Sequence, residues 1–178
     1  MYEAMYDDIY IGLESGCDDV LKLLNKGYDA NQAYETLEKL QKSKMKYIAL
    51  LMGGAGGKKY REAHVRDTAM LLSAYPPKMI SIITTGIATG TKLAEMRNNG
   101  EFVQLTEREI IEDEIALIDA LDVPDQVYFF GHHQNNVARV SGHLKDKEKL
   151  IEGFKRKLDY LEINKPEILD IALSREYL

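Results

Sequence analysis

From Tyr47 to Met52 the chain passes through Ile48, Ala49, Leu50 and Leu51 without a charged or amide side chain, then breaks into Gly53-Gly54-Ala55-Gly56-Gly57. A short apolar run closed by glycine marks a strand buried on both faces, and such strands belong to parallel sheets joined by helical crossovers. The rest of the chain repeats the alternation. Asp8–Leu13 is β-prone and runs into Glu14-Ser15-Gly16, Met79–Thr85 is followed by Gly86, and Gln126–Phe130 forms a fourth run. Between these runs the apolar spacing is helical. Cys17–Asn25 carries Val20, Leu21 and Leu24, and the segment after Asp29 carries Ala33, Leu37 and Leu40 as far as Lys44. Tyr60–Ala74, a short stretch ending near Arg97, and a segment with Ile111, Ile115 and Ile118 on one face complete the set. Asp29 with Gln32, and Thr106 with Glu109, have the spacing of capping boxes. Gly131–Lys145 reads as a long polar loop, the kind that carries function in a compact domain. Asp146 then caps a long helix with Leu150, Ile151, Phe154, Leu158 and Leu161 in phase, and Pro166 opens a short final one.

Strands alternating with helices predict an α/β fold with parallel strands, barrel or open, whose ligands sit at the carboxyl ends of the strands. A chain of 178 residues, 45% hydrophobic, is sized for one compact unit. Twenty-nine acids against 23 Lys and Arg, net charge −6, argue against a nucleic-acid surface. The single cysteine, Cys17, excludes a disulfide framework and any all-cysteine metal site within one chain. No apolar run approaches the roughly 18 residues that a membrane span requires. Met1–Asp8 has three acids and no Lys or Arg, unlike a secretory or transit segment. A soluble cytoplasmic protein is expected.

The strand ends offer several candidates, each with a plainer alternative. The glycine loop is not a phosphate loop, because Met52 and Lys59 stand where the nucleotide motifs require glycine or a hydroxyl residue. It is either a flexible connection or a backbone platform for a nucleoside-like ligand. Glu14, a carboxylate at a strand end, could accept both protons of a ribose diol, or with Ser15 serve the helix that follows. His132 and His133 are adjacent and point oppositely on an extended chain, so a zinc site drawing on them, His143 or His64 is disfavoured and no metal ligand is assigned. His64 reads more simply as a helix residue touching the preceding loop.

Taken together these segments resemble the radical S-adenosylmethionine superfamily, in the branch with elongator-type, methylthiotransferase-type and oxygen-independent coproporphyrinogen-oxidase-type domains. Ile11 to Leu21 is similar to that branch's strand-four motif Gly-x-Glu-Ser-Gly-x-x-x-Val-Leu. Met52–Gly57 with His64, Arg66 and Thr68 resembles the strand-five loop and helix start, and Gly90–Leu93 with Gly100–Phe102 the strand-six segment. His133, Asn136, Gly142 and Leu144 resemble a segment that follows the barrel in one subgroup. Lys59, Lys92 and Ser141 depart from the usual residues of these motifs.

The resemblance implies the parallel-strand half of a partial (β/α)6 TIM-like barrel, strands four to six, plus a C-terminal strand and helices. Residues 1–122 would be the barrel half and 123–178 an extension packed on it. In the family a [4Fe-4S] cluster on a CxxxCxxC motif binds the methionyl group and cleaves S-adenosylmethionine, and the resulting 5′-deoxyadenosyl radical takes hydrogen from the substrate. This chain has no such motif, so it would be the carboxyl part of an iron-sulfur oxidoreductase-type enzyme and inactive alone. Glu14, helped by Ser15 after Gly12, would hold the ribose. Gly54 and Gly56 would give backbone access to the cofactor, Ile83 and Thr84 would flank the adenine, and His133 and Asn136 would touch substrate. No catalytic residue is assigned. The expected partners are the remaining half of the barrel, a small-molecule or protein substrate, and a second copy pairing along the open edge of Asp8–Leu13. The alternative is a non-catalytic α/β binding module of half-barrel origin.

Overall fold

The computed structural model describes residues 8–175. Five strands form one sheet in chain order: β1 Asp8–Glu14, β2 Lys46–Gly53, β3 Met79–Thr84, β4 Tyr128–Phe130 and β5 Ser141–His143. The first four pair in parallel and β5 returns antiparallel to β4. Helices α1 Asp18–Leu23 and α2 Ala30–Lys42 join β1 to β2, and α3 Arg61–Ala74 joins β2 to β3. Helices α4 Lys92–Asn98 and α5 Glu107–Ala120 precede β4, while α6 Lys147–Asn164 and α7 Pro166–Leu169 follow β5. The sheet is not closed, and β1 stands at its edge.

Both expected capping boxes are formed: Asp29 accepts from Gln32 N–H and Thr106 from Glu109 N–H, with the Gln32 and Glu109 side chains reaching back. Asp146 stands at the start of α6 without capping it; its carboxylate takes Lys149 Nζ at 2.7 Å instead. The segment 131–145 is not wholly loop. It contains β5 and a 3-10 turn, Leu144–Asp146. Three residues, one of them a glycine set against Leu150, make a strand too short to show alternation.

Side-chain alternation divides the sheet into two unlike faces. On one, Ile9, Ile11 and Leu13 of β1 share a core with Tyr47, Ala49 and Leu51 of β2, Ile80 and Ile82 of β3, and Phe129 of β4. Leu37 of α2, Leu72 of α3, Ile118 of α5 and Phe154 of α6 all pack into that core. The other face carries rows set by the register, Tyr10–Ile48–Met79–Tyr128 and Gly12–Leu50–Ser81–Phe130, with Met52 beside Ile83. None of these joins the main core, and Tyr10 is 68% exposed. Doubly wound parallel sheets carry helices on both faces; a barrel carries them only outside. This sheet is an arc of the second kind, and its apolar inner face explains why Tyr47–Met52 reads as apolar throughout.

The tail is tied back across the sheet. Glu107 N–H donates to Ile171 O at 2.9 Å, and Leu173 N–H donates to Glu107 Oε1 at 3.1 Å. Arg175, 4% exposed in its side chain, reaches Glu107 Oε2 at 2.7 Å and Asn135 O at 2.8 Å. It lies against Gly86, just beyond β3, where a Cβ would come within 3.1 Å of it.

Candidate functional site

The carboxyl end of β1 is built around an unusual backbone. The pairing with β2 shifts register between Gly12 and Glu14, and Glu14 has φ +57°, a left-handed conformation rarely held outside glycine. Such strain and bulges gather at functional sites. The turn brings the Glu14 carboxylate back over Gly12, where a Cβ would stand 2.7 Å from Oε1, and Lys26 Nζ donates to that oxygen at 2.9 Å. Tyr28 Oη donates to the Gly12 and Leu13 carbonyls, and its own ionisation is pushed up to about 12 by burial and by the charge of Glu14. Glu14 does not cap α1, whose N-cap is Cys17, and its side chain stays 16% exposed.

Ser15 is fully buried, and its hydroxyl is committed. Oγ accepts Cys17 N–H at 3.0 Å and lies 2.7 Å from His64 Nδ1, while His64 Nε2 lies 3.1 Å from the Met52 carbonyl. A carbonyl only accepts, so Nε2 carries the proton and Nδ1 accepts from Ser15. Burial depresses the imidazole to about 4, which keeps it neutral. The pair looks like a nucleophile and its base, yet no carboxylate orients the ring and no solvent reaches the serine. It fastens the ends of β1 and β2 to α3. Gly16 tightens the same junction: its N–H donates to Thr68 Oγ1 at 2.9 Å, and a Cβ there would meet the Asp67 carbonyl at 2.4 Å.

The glycine loop, residues 53–57, is buried along its whole length. Gly54, at φ +75°, faces Ile110 and Leu105, and Gly56 packs on Tyr60. At the end of β3, Thr84 is buried and donates from N and Oγ1 to Asn136 Oδ1, at 2.8 and 3.0 Å. Asn136 Nδ2 donates to the Ile82 and Gly131 carbonyls at 3.0 and 2.9 Å. An amide has two donor hydrogens and two acceptor sites, and all four are in use. Asn136 is thus a stitch between the ends of β3 and β4. Next to it, Thr85 Oγ1 is buried without a hydrogen-bond partner. Ile83 lies on the inner face beside Met52. His133 is half-buried and takes Asn135 N–H on Nδ1, at 3.2 Å. His132 and His143 are exposed, one bonded to Ser141 and the other to the Gln126 carbonyl.

The structure therefore gathers Gly12, Glu14 and Ser15 with the glycine loop through His64, and Thr84 with Asn136 and His133. Sequence spacing shows neither Lys26 as the partner of Glu14 nor the acid cluster on α5. There Arg61 Nε meets Asp113 at 2.5 Å and Nη2 meets Glu112 at 2.8 Å. Burial outweighs even that arginine and raises Asp113 to about 6. Glu114 beside it is buried with neither carboxylate oxygen bonded, and burial raises it well above the carboxylate range. Among the described residues no three His, Cys, Asp or Glu side chains stand together as metal ligands. Glu14 is thus a strand-end carboxylate whose side chain stays 16% exposed beside Lys26.

No family profile matches the chain. An uncharacterized protein of Methanocaldococcus jannaschii is 29% identical to it over 106 residues, 58% of this chain and 32% of that protein. Among solved structures, the Elp3 of Methanocaldococcus infernus lacking its N-terminal residues 1–46 superposes with a TM-score of 0.65 at 20% identity, over 94% of this chain and 38% of that one. The fold is that of part of the archaeal Elp3 structure, and the chain spans about a third of the length of either relative.

Proposed function

We propose that this chain forms one arc of a radical S-adenosylmethionine enzyme's barrel, the side that faces the ribose and adenine of the cofactor. The observation that carries the reading is the one-sided cover of the parallel sheet, with its apolar inner face and strand-end carboxylate, in a fold shared with part of Elp3. Glu14 accepts the ribose hydroxyl protons, and the Lys26 ammonium and the cradle over Gly12 hold its carboxylate in place. Ser15 acts through His64 as a positioning residue, and Ile83 contributes apolar surface on the inner face. In the whole enzyme, S-adenosylmethionine on a reduced [4Fe-4S] cluster would supply radical hydrogen abstraction. The residues here do not fit that cluster, since Cys17 is the one cysteine and is buried, and on this reading its thiolates would be supplied from outside these 178 residues. The substrate of the whole enzyme would be a small molecule or a protein segment.

A second reading, a non-catalytic binding module, is favoured by one observation. Ser15, His64, Thr84 and Asn136 satisfy one another at the strand ends. Calorimetric titration with S-adenosylhomocysteine separates the two. On the cofactor reading the chain binds it saturably, and Glu14→Gln weakens binding by about 1–3 kcal/mol, the worth of a charge-assisted hydrogen bond. The unfolding midpoint hardly moves, because a partly exposed ion pair contributes little to stability. No binding, or binding indifferent to Glu14→Gln, leaves the module.

A further inference from the structure

The loop between β4 and β5, the helix α6 and residues 173–175 line a cleft of about 820 Å³. That volume lies within the roughly 300–1,000 Å³ typical of small-molecule sites. Its charge is opposite to that of the chain. Among the described residues no Asp or Glu lines it, whereas Arg139, Arg156, Lys157 and Arg175 do, in a protein of net charge −6. Arg175 is neutralised by Glu107, whereas among the described residues the other three cations have no carboxylate within hydrogen-bond distance. Arg139 donates from Nε to the Asn136 carbonyl at 3.3 Å and from Nη2 to the Gln134 carbonyl at 3.0 Å. Arg156 stands 3.8 Å from Glu152, both exposed, and Lys157 Nζ lies 5.2 Å above the Tyr160 ring. Elsewhere Arg61, Arg66 and Arg108 each donate to a carboxylate. Backbone carbonyls hold the Arg139 guanidinium in place without cancelling its charge, so it is oriented before any anion arrives.

We propose that this cleft binds a small phosphorylated ligand, a phosphate monoester or a diphosphate, through Arg139, Arg156 and Lys157. Guanidinium forks match phosphate oxygens in pairs, and three cations, of which only Arg156 shares its charge with an exposed acid, suit a di- or trianion better than a monocarboxylate. Tyr160, 52% exposed at the rim, offers a ring face to the ligand's uncharged part. A nucleic-acid strand is disfavoured by the net charge of −6 and by Glu148, Glu152, Asp159 and Glu162, which alternate with Lys149 and Lys155 on the exposed side of α6. The site is independent of Glu14, so either can fail alone.

The test is calorimetric titration of the whole chain with inorganic pyrophosphate at fixed ionic strength, with citrate as a comparator of similar charge. One-to-one saturable binding, tighter than that of citrate, is expected. Arg139→Gln and Arg156→Gln should each weaken it about tenfold, one charge-assisted hydrogen bond, with unchanged unfolding midpoints. Lys42→Gln on α2 should leave it as it was. Absence of saturation, equal affinity for citrate, or indifference to both arginine substitutions overturns the proposal. So does displacement of pyrophosphate by a single-stranded oligonucleotide with an affinity that grows with its length, which would make the cleft part of a nucleic-acid groove.

Discussion

His64 carries a pH dependence that its position dictates. An imidazole at about 4 in the folded chain, against 6.5 when free, takes up its proton later on acidification than the unfolded chain does. Its contribution to stability is unchanged above pH 6.5, falls between 6.5 and 4, and is fully lost below. The integrated loss is about 3 kcal/mol. Asp113 works in the opposite direction: raised to about 6, it keeps its proton where the unfolded chain has released it, so its contribution grows as pH falls from 6 toward 3.8. The two largely offset in the native protein. Denaturant titrations at pH 7 and 4.5 should therefore show His64→Gln gaining on the native chain as pH is lowered, by about 2–3 kcal/mol. A difference that does not change with pH would mean that His64 titrates in the fold as it does in the unfolded chain. Neither partner of this histidine is visible in the sequence, since Ser15 lies 49 positions away and Met52 offers only its backbone. Glu14 was legible as a strand-end carboxylate because strand and turn are local signals; Lys26, its partner, comes from the turn after α1 and was not.

At the scale of elements, the features written within a few residues were readable and those made by distant segments were not. The two capping boxes and the three long strands follow from local spacing, whereas β5 exists only because β4 is beside it. Which face the helices cover was equally hidden, since an apolar run such as Tyr47–Met52 has no polar side to show. The edge strand illustrates the consequence. Ile9, Ile11 and Leu13 of β1 pack into the helix-covered core, and Tyr10 is the side chain that stands outside. An unpaired edge flanked by an uncovered apolar face promotes association. Light scattering at micromolar concentration should give a mass of at least two chains. Tyr10→Lys should shift it toward one with little change in unfolding midpoint, while Ile11→Lys should lower the midpoint itself. A native monomer whose β1 amides resist hydrogen exchange would show that the edge is already covered.

For the molecule as a whole, the tie between Glu107 and Arg175 matters more than its single ion pair suggests. Removing one member of a buried pair leaves an uncompensated charge, so Arg175→Met should cost about 3–5 kcal/mol, whereas replacing both by apolar residues of similar size should restore most of it. Urea unfolding of the two single variants and the double one measures the coupling; additive losses would show that the pair is not a unit. The same contact also sets an order of events in time. Glu107 and Arg175 are 68 positions apart. At synthesis rates of about 5–20 residues per second, Arg175 is made some 3–14 s after Glu107. Throughout that interval the start of α5 holds a carboxylate with no counter-charge, and water must stay with it. The helix that covers β2 and β3 can lodge fully only after its distant arginine has been made, so the nascent protein passes through seconds in which its central strands are only partly covered.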